Sequence, residues 1–151
     1  MNLTLRSVTI AEALQHEAFL ERGLSESSEA LEEELEPGTA RRVLDVHAQA
    51  PETVVLFAED PEAGRPVALC ISVPLVDPLR DLTTPLIVAC YVEPDLRARG
   101  IARALVNELS RVLAGRTRVA PAVRVGHNDD ALISMGERWG FVRHWEWMAR
   151  D

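Results

Sequence analysis

The sequence predicts a mixed α/β fold whose elements follow the approximate order βααβββαβαβ. Two kinds of pattern support this prediction. Apolar runs of strand length occur at residues 53–59, 67–75 and 86–92, and after Gly100 the apolar positions recur at helical spacing. A chain of 151 residues has the usual size of one domain with a sizeable core. We therefore expect a single domain over residues 1–151.

The first third of the chain is predicted to hold one strand and the first helices. Residues 3–10 alternate apolar and polar, which is typical of a half-buried strand. A helix is expected over residues 11–23. A second is expected to begin at a cap formed by Ser25 or Ser27 and to end before Pro37, because serine caps helices and proline interrupts them. Residues 40–47 form a further helical segment.

The middle of the chain predicts an antiparallel pair of strands. The runs at residues 53–59 and 67–75 are joined by the turn-rich sequence D-P-E-A-G-R-P, which favours a hairpin. Pro74 is expected to end the second of these strands, since proline cannot donate to a strand ladder. A loop over residues 76–85 then leads to the strand at residues 86–92.

The C-terminal region is predicted to form a strand, a helix and a last strand. The short strand covers residues 122–125, and residues 126–130 cap a helix that runs to Arg138 or Trp139. The last strand is expected over residues 141–148, with Trp145 and Trp147 on the same side. We expect the C-terminal strands to be shortened, since only ten residues follow Phe141.

Charge is distributed unevenly along the chain, whose net charge is −8. Residues 1–62 hold 14 acidic residues and 4 arginines, whereas residues 63–151 hold 10 acidic residues and 12 arginines. Overall acidity argues against nucleic-acid binding. The division suits an anionic cofactor on the second half and a cationic acceptor near the first, although acidic helices are also commonly just solvated.

Two further observations bear on location and on the cysteines. There is no apolar run of membrane-spanning length and no signal-peptide pattern, so we expect a cytoplasmic protein that does not bind membranes. Cys70 and Cys90 both lie in apolar strand-like runs. We expect them to be buried free thiols and expect no metal site.

Residues 90–105 form the most informative stretch. Pro94 and Asp95 stop the strand, and the following helix begins near Gly100 with Arg97, Arg99 and Arg103 around it. A helix N-terminus has unpartnered N–H groups and a partial positive charge, so this turn is suited to a phosphate. The Walker and Rossmann patterns are absent, and the chain has no lysine.

This stretch resembles the pyrophosphate-binding segment of the GNAT superfamily of acyl-CoA N-acyltransferases, V-x-P-x-x-[RQ]-x-x-G-x-[GA]-x-x-L. The pattern is met without gaps by Val92, Pro94, Arg97, Gly100, Ala102 and Leu105. An ordinary basic helix start on a βα unit is the alternative. The order of the predicted elements also matches the GNAT fold.

The resemblance implies acetyl-CoA as cosubstrate. It implies that the main chain of Cys90 and Val92 holds the pantetheine arm and that a free N–H there polarises the thioester carbonyl. Arg97, Arg99 and Arg103 would be charge partners of the pyrophosphate. Its backbone donors would come from Arg97, Ala98, Arg99, Gly100, Ile101, Ala102 and Arg103.

A second family motif, N-x-x-A-x-x-L-Y-E-x-x-G-F, is matched less fully. Its end aligns with Gly140 and Phe141, which places Gly136 where the family has the tyrosine that protonates the leaving thiolate. The asparagine position falls on Asp129, with Asn128 one residue earlier. Either residue could hydrogen-bond the pantetheine, or the two could simply cap the helix.

The residues that move protons are poorly marked. A glutamate that some family members carry six residues before Val92 is replaced by Leu86. His127 is a candidate general base because imidazole is the side-chain type best suited to proton transfer near neutral pH, although an ordinary loop histidine is the alternative. Ser134 and Tyr91 are candidate acids, and Tyr91 could equally pack beside the strand. Further carboxylates in plausible reach are Glu59, Asp77 and Asp81.

We therefore expect an N-acetyltransferase that moves an acetyl group from acetyl-CoA to a primary amine, on a small molecule or a peptide, by direct attack in a ternary complex. The alternatives are a non-catalytic acyl-CoA-binding regulatory module and a purely structural domain of the same fold. Only ten residues follow Phe141, so a sheet edge would be left uncovered. We expect a homodimer on that ground.

Overall fold

The computed structural model describes residues 2–144 and 148–150, and in this part of the chain five strands form one mixed sheet. Strands β1 to β4 pair antiparallel in chain order, and β5 runs parallel to β4. This confirms the predicted α/β class. The strands are β1 (Thr4–Val8), β2 (Val54–Asp60), β3 (Arg65–Val76), β4 (Thr83–Val92) and β5 (Ala122–Val123).

Helices cover both faces of the sheet. Three helices between β1 and β2 pack on one face, where Leu20, Phe57 and Leu69 form a buried core. The helix after β4 packs on the other, with Leu56, Cys70 and Leu105. Because β2 and β3 are buried on both faces, they are apolar throughout rather than alternating. The helices are α1 (Ile10–Leu14), α2 (Glu17–Glu29), α3 (Thr39–Val46), α4 (Ile101–Ala114) and α5 (Asp130–Arg138).

The hairpin of β2 and β3 is confirmed, but the prediction that Pro74 ends β3 is wrong. β3 continues to Val76, and Pro74 lies opposite Pro85 of β4. β2 begins at Val54, which lies opposite Ser72, so no β2 residue pairs with β3 beyond Ser72. Pro74 is therefore beyond the part of β3 that has a β2 partner, and its missing N–H costs no hydrogen bond on that side.

The predicted boundaries of the first two helices are also wrong. The helix predicted over residues 11–23 is interrupted after Leu14, and α2 then runs from Glu17 through the serine-rich segment to Glu29. The serines are part of this helix because Ser27 Oγ donates to the carbonyl of Gly23 at 3.0 Å and Ser28 is buried. A hydroxyl bonded to the preceding turn no longer competes for a cap position. The helical segment after residue 39 is confirmed as α3.

The C-terminal prediction is right for α5 and wrong for the last strand. β5 ends at Val123, two residues earlier than predicted, and residues 141–144 and 148 are not in a strand. Trp145 and Trp147 lie outside the described residues. The helix end accounts for the difference, since Gly140 has φ 92° and Phe141 N donates back to the Gly136 carbonyl at 2.9 Å. This turn directs Phe141 to the α4 core.

Across residues 2–144 and 148–150, none of the helices combines the length and the apolar character that crossing a membrane requires.

Candidate functional site

Strands β4 and β5 diverge after two paired positions, and the gap between them is the centre of the candidate site. Their pairs are Leu86 with Ala122 and Ile87 with Val123. At the same point β4 has a bulge at Val88, because the partners of Ile87 and Ala89 on β3 are adjacent residues. A bulge bends a strand and increases its twist. Beyond Ile87, the edge of β4 is thus open within the described part of the chain.

The register of β3 and β4 decides which backbone groups face this open edge. Glu93 N donates to the Val67 carbonyl at 2.9 Å, so the Glu93 amide faces β3. Backbone groups alternate sides along a strand. The N–H groups of Val92 and Cys90 therefore face away from β3, toward the open edge. These two residues lie where the predicted pantetheine contacts require them, and their contact with a cofactor stays a prediction.

The turn after β4 presents a continuous series of backbone donors. A 3₁₀ turn, Pro94–Leu96, is followed by Ala98 at φ 61° and Gly100 at φ 78°. The first bond of α4 joins Ala104 N to the Gly100 carbonyl at 3.1 Å. Among the described residues, the N–H groups of residues 98–103 have no hydrogen-bond partner. Such a turn at a helix N-terminus forms an anion-binding concavity.

The three arginines of the turn differ in what they contact. Arg99 and Arg103 are exposed and make no ion pair within residues 2–144 and 148–150. Arg97, by contrast, donates from Nε to the Val92 carbonyl at 2.9 Å and pairs through Nη2 with Glu26 at 2.8 Å. Its guanidinium also lies 5.6 Å from the ring centroid of Tyr91. Two of the three predicted charge partners are therefore free to meet an anion.

A cavity of about 390 Å³ lies between α2 and the end of β4. Its lining residues are Arg22, Ser25, Glu26, Glu29, Tyr91, Pro94 and Arg97. The residues from α2 were missed by the sequence reasoning because they are far from β4 in the chain: Glu26 and Arg97 are 71 positions apart. The only signal that could have indicated them is the opposite charge of the two halves of the sequence.

Glu93 organises the end of β4 beside this cavity. Its side chain is only 16% exposed and accepts from Arg22 at 3.2 Å and from Arg65 at 3.3 Å. The Tyr91 hydroxyl lies 3.5 Å from Glu93 Oε2. The Tyr91 ring is buried and packs edge-to-face against Phe19 at 5.7 Å between centroids. Tyr91 thus packs beside the strand, as the alternative interpretation had it, and also lines the cavity.

The other two catalytic candidates lie on the surface. His127 is exposed in the loop between β5 and α5, and Ser134 is exposed on α5. Neither lines the cavity that Tyr91 lines. Of the further carboxylates, Glu59 accepts from Arg6 at 2.9 Å and Asp77 pairs with Arg80. None of Glu59, Asp77 and Asp81 lines the cavity that Tyr91 lines.

The start of α5 shows a helix cap. Asp129 Oδ1 accepts from Leu132 N at 3.0 Å, which confirms the capping interpretation for Asp129. Asn128 is exposed one residue earlier. The proposed pantetheine contact of these two residues stays a prediction.

No group of three or more histidine, cysteine, aspartate or glutamate side chains within residues 2–144 and 148–150 is arranged to hold a metal ion. The candidate site is therefore built from backbone donors, arginines and carboxylates.

Comparison with known proteins identifies the family. No curated protein sequence matches the chain. Among solved structures, a ribosomal-protein-alanine N-acetyltransferase from Brucella melitensis biovar Abortus 2308 is 20% identical with a TM-score of 0.70, covering 100% of this chain and 99% of its own. The aminoglycoside N-acetyltransferase AAC(6')-Iy in complex with CoA is 14% identical with a TM-score of 0.74, covering 99% and 94%.

A predicted acetyltransferase from Clostridium acetobutylicum, solved with acetyl-CoA, is 16% identical with a TM-score of 0.73, covering 99% of this chain and 96% of its own. At these identities the structures establish the fold alone. The model of the acetyltransferase (GNAT) family matches residues 12–141, which is most of the chain. The chain belongs to the GNAT acetyltransferase family.

Proposed function

We propose that this protein transfers an acetyl group from acetyl-CoA to a primary amine by direct attack within a ternary complex. The observation that carries the proposal is a run of unpaired backbone donors in two parts, one on the open edge of β4 and one at residues 98–103. One extended ligand with an amide-containing arm and a pyrophosphate fits this run. Relatives of the same fold have been solved with CoA and with acetyl-CoA.

The two ends of the cofactor would meet different parts of the run. The pantetheine arm would bind the N–H groups of Cys90 and Val92 along the β4 edge. The pyrophosphate would bind the amides at the start of α4, where Arg99 and Arg103 add full charges to the partial charge of the helix. Glu26 already occupies the side chain of Arg97. The Arg97 N–H is also paired, with the Pro94 carbonyl at 3.5 Å, so the backbone donors for the pyrophosphate would come from residues 98–103.

The reaction needs a donor for the oxyanion and a route for two protons. The amine lone pair attacks the thioester carbonyl, a C–N bond forms, and collapse of the tetrahedral intermediate breaks the C–S bond. The Cys90 amide would stabilise the oxyanion, and one such donor contributes roughly 10²–10³ in rate. The attacking nitrogen loses a proton, and the CoA thiolate gains one.

The amine would approach through the cavity between α2 and β4. Glu29 and Ser25 line this cavity, and their side chains have no hydrogen-bond partner in the described part of the chain. Free carboxylate and hydroxyl oxygens suit a protonated amine. The relatives named above act on an aminoglycoside and on the alanine of a ribosomal protein. The first set of amines to be tested as acceptors should therefore include both small molecules and peptides.

Tyr91 is the side chain that we assign to proton transfer to the thiolate. Tyr91 lines the cavity, whereas His127 and Ser134 are exposed elsewhere on the surface. Tyr91→Phe keeps the packing against Phe19 and removes only the hydroxyl. We expect it to lower kcat by about 10² while leaving the Kd for acetyl-CoA unchanged, because a positioned acid contributes roughly 10²–10⁴. His127→Ala is the control, and a loss of rate there instead would contradict the assignment.

A non-catalytic acyl-CoA-binding module is a second candidate, and Gly136 is the observation that favours it. A Cβ at this position would meet Phe141 Cβ at 3.8 Å, which is an ordinary contact, and Gly136 has no positive φ. Packing therefore does not require glycine where the family has its catalytic tyrosine. The cofactor half of the site would be retained in such a module, and the proton-transfer half would not.

Two measurements test these proposals. Calorimetric titration with acetyl-CoA should show saturable binding, and its absence would contradict both candidates. CoA thiol release should then be followed with an aminoglycoside, a polyamine and a peptide with N-terminal alanine. We expect turnover with at least one amine. Tight acetyl-CoA binding without turnover on any of them would overturn the enzyme and support the binding module.

We also propose that the protein forms a homodimer. Residues 141–144 form no strand, and Val142 and Met148 are 70% and 96% exposed, so two apolar side chains in this region are accessible to a partner. Sedimentation at micromolar concentration checks this, and a clean monomer would contradict it.

A further inference from the structure

The thiols of Cys70 and Cys90 lie opposite each other on β3 and β4. The register pairs Cys70 with Cys90 directly, and both side chains lie on the α4 face of the sheet. Neither is in a disulfide. The proposed acyl transfer uses the backbone amide of Cys90 and gives neither thiol a role.

The geometry of this pair is the one in which a cross-strand disulfide can form. Glu93 and Val67 are directly opposite and joined by a backbone hydrogen bond, and pairs alternate between bonded and non-bonded along an antiparallel ladder. Three positions further on, Cys70 and Cys90 form a non-bonded pair. Such pairs bring the Cα atoms to about 4.5 Å, which lies at the lower end of the roughly 4.4–6.8 Å seen across disulfides.

The two thiols are chemically unequal. Cys70 is fully buried, and its interaction with the Cys90 thiol together with burial raises its pKa. The same interaction lowers the pKa of Cys90, which is only half-buried. The thiolate is the form that reacts with oxidants. Cys90 is thus the thiol that an oxidant would reach first, with Cys70 placed to resolve the product.

We propose that Cys70 and Cys90 form a reversible disulfide under peroxide and that this disulfide weakens acetyl-CoA binding. The Cys90 thiolate attacks hydrogen peroxide, the O–O bond breaks, and the sulfur becomes a sulfenic acid as one water is released. Cys70 then attacks that sulfur, the S–S bond forms, the S–O bond breaks and a second water leaves. Two thiols are oxidised by two electrons, and one peroxide is reduced to two waters.

The weakening follows from what surrounds Cys90 and rests on the proposed function. Its Sγ lies 4.0 Å from the Ala102 carbonyl in the first turn of α4, and its amide is one of the two that face the open edge of β4. A disulfide brings the sulfurs to about 2.05 Å. Forming it moves the Cys90 sulfur toward Cys70 and away from the Ala102 carbonyl, at the junction where the two halves of the cofactor site meet.

The disulfide is tested first, without reference to any activity. The folded chain is treated with hydrogen peroxide, alkylated after unfolding and analysed by mass. We expect the loss of two hydrogens, no alkylation, a cross-linked peptide pair containing both cysteines, and full reversal by dithiothreitol. Cys70→Ala should instead gain oxygen at Cys90. Full alkylation of both thiols after the treatment, or oxygen additions alone, would overturn the proposal.

The effect on the cofactor is then measured by titrating acetyl-CoA into the reduced and oxidised chains. We expect a several-fold higher Kd after oxidation, restored by dithiothreitol. In a variant with both Cys70→Ala and Cys90→Ala, peroxide should leave the Kd unchanged. Equal affinity of the two wild-type forms would overturn the regulatory part. If neither form binds acetyl-CoA, the proposed function fails, and the mass measurement still decides whether the disulfide exists.

Discussion

Substitution of Gly100 tests whether the turn before α4 holds the pyrophosphate. Gly100 is the N-cap of α4 with φ 78° and ψ 10°, and a Cβ added there would meet no atom within 4 Å. Gly38 is the N-cap of α3 with φ 85° and ψ 4° and is equally uncrowded. Gly38→Ala is therefore a matched control that shares the backbone conformation and lies outside the proposed site.

The cost of each substitution comes from conformation rather than from crowding. A left-handed conformation costs an L-residue roughly 1–2 kcal/mol, partly offset because alanine restricts the unfolded chain by roughly 0.4–1 kcal/mol. A variant that keeps the left-handed conformation should lose about 1 kcal/mol of stability, which for a chain of this size lowers Tm by roughly 2–4 °C, and a variant whose turn rearranges should lose less.

Acetyl-CoA affinity should separate the two variants. The turn at Gly100 is exposed, so in the free protein Gly100→Ala can relieve its strain by moving to negative φ, which turns the donor amides away from the anion. Binding must then restore the strained conformation, at a cost that corresponds to about a tenfold higher Kd. Gly38→Ala should bind as the wild type does.

Calorimetric titration of the three proteins, with thermal melts on the same samples, makes the comparison. Wild-type affinity in Gly100→Ala would show that these amides do not hold the pyrophosphate. An equal loss of affinity in Gly38→Ala would show that the effect is global destabilisation. Either result would refute the assignment of the turn.

Two further predictions concern charges. The double variant Arg99→Ala, Arg103→Ala should raise the Kd for acetyl-CoA by about tenfold. Its Kd should also depend less on salt, since salt screens exposed charges. Arg118→Ala, which removes an exposed arginine outside the turn, should change neither the Kd nor its salt dependence. Hydrogen bonds from the Arg6 guanidinium and the Thr9 backbone hold the pKa of Glu12 below its ordinary value of 4.5. The ionised Glu12 carboxylate therefore stabilises the folded state fully above pH 4.5. This stabilisation is lost as the pH falls through the lower pKa of the folded state. Glu12→Gln should therefore flatten the acid limb of stability measured by urea unfolding, whereas a steep limb in this variant would contradict the prediction; Glu62→Gln, on an exposed loop, should keep the wild-type slope.

Local patterns allowed much of the fold to be predicted. The hairpin of β2 and β3, the strand–turn–helix around Gly100 and the helix α5 all follow from periodicity and turn residues that lie close together in the chain. The failures have a common cause. Ser27 bonds within α2 instead of capping a new helix, and Pro74 continues β3 because its β2 partner has already ended. The end of the β2 pairing and the burial of Ser28 in the same serine-rich segment both come from packing that a local pattern does not contain.

The candidate site divides in the same way. The donor turn could be found from sequence because its glycine, its arginines and the preceding proline are contiguous. The cavity could not, since α2 and β4 meet only through tertiary packing. The direct pairing of Cys70 with Cys90 could not be found from sequence either, because strand register is set by the pairing of the whole sheet.

By itself, the sequence determined that a strand, an anion-binding turn and an amphipathic helix follow one another at residues 86–114, because each depends on residue types within a few positions. Only the tertiary structure decided that, among the described residues, β5 leaves the edge of β4 open and Glu26 pairs with Arg97 while Arg99 and Arg103 form no ion pair. The physical reason is range. Backbone preferences and helix periodicity act between near neighbours, whereas charge pairing and strand register join residues that only the folded chain brings together.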